Sequence, residues 1–126
     1  MQEYMCEQNL IQQLLHTFPE LTSSYNEYME WWDGEDPGLH NLMGDVLGPY
    51  MRESLELDTD PKLIKRIFAF LERMATSPDE AVVNVLMVTL LERLGDDKKL
   101  LERAYAYMSP YTREASDEIE QYWGRK

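Results

Sequence analysis

His16, His40 and Cys6 are the residues best suited to nucleophilic or proton-shuttling chemistry near neutral pH, and they stand in no catalytic spacing. The Gly-x-Ser-x-Gly elbow, the phosphate-cradling glycine loop and Cys-x-x-Cys are all absent. His16 borders an apolar stripe and reads as a boundary residue, and Cys6 as a small, partly buried side chain. Carboxylates offer a second chemistry, because hard cations need several oxygens converging. Glu27-x-x-Glu30 and Glu53-x-x-Glu56 each place two acids on one helical face. The same spacing recurs at Glu30/Asp33, Glu114/Asp117 and Asp117/Glu120, so a solvated helix face is the expectation and no metal site is assigned. Neither histidine has a glutamate three residues before it, which removes ferritin-like Glu-x-x-His ligation. No catalytic residue and no cofactor is expected.

Binding is the third possibility. Between Tyr25 and Asp36 the aromatics Tyr25, Tyr28, Trp31 and Trp32 alternate with Glu27, Glu30, Asp33, Glu35 and Asp36. On a helix, Tyr25, Tyr28 and Trp32 share a core-directed face, and Trp31 points about 100° away toward Glu27 and Glu30. An aromatic ringed by carboxylates is the composition of an anchor for a basic partner. The partner-binding set expected is therefore Glu27, Tyr28, Glu30, Trp31, Trp32, Asp33, Glu35 and Asp36. The competing reading is that both tryptophans close the core and the acids solvate a loop.

Charge distribution favours the binding reading. The formal net charge is −12, and residues 1–51 contain Glu3, Glu7, Glu20, Glu27, Glu30, Asp33, Glu35, Asp36 and Asp45 with no Lys or Arg. All 12 bases follow Met51. An anionic half repels nucleic acid and anionic lipid, so neither is expected as a partner. The longest apolar stretch, 81–91, is interrupted by Asn84 and Thr89 and is too short for a membrane span. The opening Met1-Gln2-Glu3-Tyr4-Met5 has no secretory pattern, and a lone cysteine forms no internal disulfide, which together point to a reducing cytoplasm. No feature specifies an oligomeric state.

Helices must position these residues. Leu10, Ile11, Leu14, Leu15 and Phe18 form one stripe that Pro19 ends. Ser23 and Ser24 are expected to cap a second helix, and 33–38 reads as a loop. Residues 39–57 read as helical with an interruption at Gly48-Pro49. Asp60-Pro61, Ser77-Pro78 and Ser109-Pro110 each suggest a cap followed by a first-turn proline, with a capping box at Ser77–Glu80. Helices are expected over 61–75, 78–94, 97–108 and 110–123, with Gly95 as a stop and the apolar 78–94 segment at the centre. Leu-Glu-Arg occurs at 71–73, 91–93 and 101–103. The expected fold is a single all-α domain over 1–126, an antiparallel helical bundle or short HEAT-like stack of about six or seven helices.

Three resemblances accompany these residues. The Glu27/Glu30 and Glu53/Glu56 pairs resemble the magnesium site of all-helical nucleoside-triphosphate pyrophosphatases, although that family prefers Asp where Glu56 stands and no base lies near the first pair. Gly38-Leu39-His40-Asn41-Leu42-Met43-Gly44-Asp45 resembles the Gly-x-Leu-x-His-x-x-x-Gly-Asp signature of a poorly characterised family of small bacterial helical proteins. The His40-x-x-x-Gly44-Asp45 part matches in register, while the glycine and leucine stand closer to the histidine; the resemblance implies bacterial origin. His40 is expected to pair with Asp45 or to cap the preceding loop. Finally, size, helicity and acidity are similar to bacterial immunity proteins, which implies a carboxylate-rich face with aromatic anchors occluding the cationic cleft of a basic nuclease toxin. The function expected is thus an immunity-type protein-binding module, with a magnesium-dependent pyrophosphatase or a structural adaptor as alternatives.

Overall fold

The computed structural model describes residues 4–125, every one of whose regular elements is a helix or helical turn. Met1, Gln2, Glu3 and Lys126 lie outside the described residues, and with them part of the N-terminal reading and one carboxylate of the acidic block. Among the described residues, seven helices make the bundle: α1 (Leu10–Thr17), α2 (Thr22–Trp31), α3 (Leu39–Leu57), α4 (Pro61–Ala75), α5 (80–95), α6 (Lys98–Tyr105) and α7 (Pro110–Tyr122). A 3₁₀ turn, Pro19–Leu21, links α1 to α2. The central segment of α5, Val85–Leu91, is π-helical. It packs against α3, α4 and α7, which makes α5 the central helix. Val82, Val85, Leu86, Leu90, Leu91 and Leu94 are buried along it, while Val88 stays exposed. Phe18, at the end of the first stripe, is fully buried edge-on to Tyr50 and Phe70, with centroids 6.2 and 5.6 Å away.

Several helix starts differ from the sequence reading, each for a local reason. The α2 helix continues directly from the 3₁₀ turn and begins at Thr22, so Ser23 and Ser24 lie inside it and cap nothing. The Ser77 hydroxyl donates to the Met5 carbonyl (2.6 Å) and accepts from Asp79 N–H. The cap therefore moves to Asp79, whose carboxylate accepts from Ala81 N–H, and α5 begins at Glu80 instead of Pro78. Ser109 also makes no side-chain cap. Its role passes to Glu72 of α4, which accepts from the Thr112 N–H and hydroxyl, both at 2.8 Å, and from Tyr111 N–H. A carboxylate at a helix N-terminus is favoured by the helix dipole. Gly48-Pro49 does not interrupt α3. The hydrogen bond that Pro49 removes would have ended on the Asp45 carbonyl, and both residues face solvent, where water can replace it.

The three Leu-Glu-Arg copies share a division of labour. Leu71, Leu91 and Leu101 are buried, and each arginine reaches another element. Arg73 donates to the Gln13 side chain, Arg93 pairs with Asp45 at 3.5 Å, and Arg103 donates to the Leu55 and Glu56 carbonyls that end α3. Arg66 likewise pairs with Glu20. The second half thus lends cations to the base-free first half.

The Glu20 carboxylate also accepts from the Tyr50 hydroxyl at 2.6 Å. Burial works to raise its pKa, but hydrogen bonds from Tyr50 and its own backbone, with the Arg66 charge, bring it below its ordinary 4.5. Desolvation and the facing carboxylate push Tyr50 up to about 12. Because the folded-state pKa of Glu20 is lowered, its stabilisation is present above pH 4.5 and is lost as pH falls through the folded value. Glu20→Gln should therefore destabilise the protein near neutrality by more than it does under acid. The effect will be small, the side chain being 38% exposed. Urea midpoints against pH test this, and a wild-type-to-variant gap that stays constant below pH 5 contradicts it.

Candidate functional site

The predicted binding residues separate into an outer face and an inner support. On α2 and the following loop, Glu27, Glu30, Trp31, Asp33, Glu35 and Asp36 are exposed, and Trp31 is 79% accessible. Tyr28 turns inward, donating its hydroxyl to Asp45 at 2.7 Å. Desolvation and that carboxylate hold the phenol above its ordinary pKa. Trp32 is half-buried, edge-on to Trp31 with centroids 5.8 Å apart. Its indole N–H is buried and lies toward the Tyr28 oxygen, acting to lower that pKa, without reaching hydrogen-bonding geometry. Tyr25, Tyr28 and Met29 pack on the core only in part, and no residue of α2 is fully buried. Tyr28 and Trp32 therefore hold Trp31 in place, and Trp31 carries the outward aromatic surface.

Among the described residues, Glu27, Glu30, Asp33, Glu35 and Asp36 form no ion pair, whereas Glu20 and Asp45 receive Arg66 and Arg93. Glu30 and Asp33 sit at the C-terminal end of α2, where the helix dipole is negative and carboxylates are unfavourable by about 0.3–1 kcal/mol each. Asp33 adopts a left-handed φ of 49°, which costs a non-glycine residue about 1–2 kcal/mol. The loop beyond is tied by short links: the Asp36 carboxylate accepts from Gly38 N–H at 2.9 Å, and the Asn41 amide donates to the Pro37 carbonyl at 2.9 Å. Unfavourable charge and backbone thus concentrate around an exposed indole on a loop that is held in shape.

The residues of the Gly38–Asp45 stretch converge on α5, an arrangement invisible in the sequence. His40 Nδ1 lies 2.6 Å from the buried Thr89 hydroxyl, so the histidine neither pairs with Asp45 nor caps the loop. Gly38 takes a φ of 81° as it enters α3. At Gly44 a Cβ would stand 2.5 Å from an Arg93 guanidinium nitrogen and 2.8 Å from the Thr89 methyl. Glycine is needed there for the close approach of α3 to the π-helical segment. Gly44→Val is accordingly expected to cost about 1–3 kcal/mol of stability through overpacking. An unchanged urea midpoint would remove that account of the glycine.

The Glu27/Glu30 and Glu53/Glu56 pairs do not come together, for among the described residues no three His, Cys, Asp or Glu side chains gather as a cation site requires. Cys6 is partly buried and unpaired with another cysteine, and His16 is exposed. No helix among the described residues is long and apolar enough to cross a membrane. A cleft of about 610 Å³ opens beside α2, between α1, the start of α3 and the start of α5. Its lining includes Ile11, Met29, Leu42 and Val85, none of which the sequence reading had marked for binding; Asp36 alone belongs to both. Residues 11–124 match the family DUF7674, described as a domain of unknown function. No curated protein and no solved structure matches the chain.

Proposed function

We propose that this chain, which belongs to the DUF7674 family, is a protein-binding module of the immunity type, whose acidic, aromatic face takes a basic protein partner such as a nuclease toxin domain. The observation that carries the reading is Trp31, 79% exposed and flanked in sequence by exposed carboxylates that no arginine or lysine among the described residues pairs with. A large indole left in water between acids gains more from a partner than from solvent, because tryptophan buries a wide apolar area and also donates a hydrogen bond. The carboxylates contribute long-range attraction that speeds encounter with a cationic surface and is screened by salt. Local strain supports the same reading, since cations from a partner would relieve the negative end of α2. In this reading the module works in the cytoplasm of a bacterium, where it covers a cationic cleft and so blocks its substrate.

The test is affinity capture from the source organism at low and at high salt, with an Asp33→Lys bait as the control. A basic protein retained at low salt, released at high salt and not captured by the variant is the result expected. If the wild-type and Asp33→Lys baits recover the same proteins at both salt concentrations, the acidic face is not the binding surface and the reading is wrong.

A further inference from the structure

The cleft beside α2 shares the anionic character of the exposed Trp31 face and adds an apolar base to it. Its base is apolar: Leu42 and Val85 are 6% and 1% exposed, with the half-buried Ile11 and Met29 beside them. Its edge is anionic, for the exposed Glu7 and Asp36 line it without an ion pair among the described residues, and no Lys or Arg contributes to the lining. A volume of about 610 Å³ exceeds one aliphatic side chain and lies within the range of ordinary ligand clefts. On α2, Tyr25 and Met29 line the cleft, while Glu27, Glu30 and Trp31 occupy the opposite flank of the same helix. Asp36 lies on the loop that joins the two surfaces.

We infer that the cleft seats the apolar face of an amphipathic basic helix of the partner, with the helix's cations on Glu7 and Asp36. This rests on the protein-binding reading above and adds to it the kind of segment recognised. An apolar floor selects residues at helical spacing, as in other helix-in-groove recognition. An acidic margin with no Lys or Arg selects a cationic surround and disfavours an acidic amphipathic helix of equal hydrophobicity. A segment crossing the 32–38 loop reaches both the cleft and Trp31, so one helix and the residues after it can engage both surfaces.

The experiment uses the full chain, labelled at its Ile, Leu, Val and Met methyls, and two synthetic probes. One is a peptide of roughly 18 residues, five turns of helix, with leucines and lysines segregated to opposite faces. The other carries the same number of lysines with serine in place of every leucine. The leucine peptide is expected to bind about tenfold more tightly, a difference of ~1.4 kcal/mol. It should shift the methyl resonances of Ile11, Met29, Leu42 and Val85, whereas the serine peptide should leave those methyls unmoved and shift only the Trp31 indole fluorescence. Ala81→Phe, which fills the cleft, and Glu7→Lys, at an exposed carboxylate that holds no bond among the described residues, should each remove the leucine peptide's advantage. Equal binding of the two peptides with unmoved cleft methyls overturns the cleft assignment and leaves the Trp31 face standing. Failure of both peptides to perturb either surface overturns the two readings together.

Discussion

Arg125→Ala should lower the free energy of unfolding by about 3 kcal/mol, because it strands a buried carboxylate. Glu120 is 3% exposed, and Arg125 holds it through Nε at 3.1 Å to both oxygens and through a second nitrogen at 2.6 Å. The guanidinium reaches further, to Asp96 at 2.8 Å and to the Glu92 carbonyl at 3.2 Å, so one side chain joins the end of α5 to the end of α7. Its hydrogen bond to Glu120 is the main reason its pKa lies above even the ordinary arginine value. Gly95 makes room for the arrangement: a Cβ there would fall 2.1 Å from a Glu120 carboxylate oxygen. The Glu120→Gln/Arg125→Ala double variant should recover part of the loss, since a neutral amide costs less to bury than an unpaired charge. Urea unfolding measures both. A loss below about 0.5 kcal/mol for Arg125→Ala, the level of an exposed pair, would mean that water reaches Glu120.

The second large effect belongs to binding. Trp31→Ala is expected to weaken the complex with the basic partner by about 2 kcal/mol, roughly 30-fold in Kd, the scale of an interface hot spot. The loss should appear in the dissociation rate. Asp33→Lys should instead slow association and flatten its salt dependence, because a charge at the edge of an interface acts mainly on encounter. Trp31 also provides its own signal: as the most exposed of the large aromatic residues it should shift its fluorescence to shorter wavelength when a partner covers it. Tyr28→Phe separates anchor from support, since it removes the hydroxyl bonded to Asp45 and leaves the outer face intact. Identical affinities for wild type and Trp31→Ala, measured by surface plasmon resonance, would sink the assignment.

Helices were legible because apolar spacing and prolines are local signals. Asp60-Pro61 and the 3.6-residue stripe at Leu10–Phe18 fall where expected, and the apolar 78–94 segment forms the central helix, beginning at Glu80. What failed was local reasoning about side chains that are engaged at long range. Ser77 looks like a cap until Met5, 72 residues away, is found to accept its hydroxyl proton. His40 looks free for Asp45 until Thr89 is brought to 2.6 Å. Gly95 was read as a helix stop, and it does end α5, yet the reason for a glycine lies in the approach of Glu120. The outer face was legible as an alternation of aromatics and acids. Its division into Trp31 outside and Tyr28 inside follows helical geometry, but the cleft draws on four separate elements and had no signal in any one of them.

The arginines that cross from the second half to the first have a consequence for how the protein is made. During synthesis the first 51 residues emerge with nine carboxylates and no base, and without the α5 surface that α3 packs against. Self-repulsion works against compaction at that stage. The cations that pair with these carboxylates arrive in sequence order, Arg66 for Glu20 and then Arg93 for Asp45, the second on the same helix that closes the core. Folding is therefore expected to wait until the central helix has left the ribosome, an expectation that a shortened chain tests. A chain ended after residue 75 should accordingly show no cooperative unfolding transition by circular dichroism, and a sigmoidal melt from it would show that the first half folds unaided.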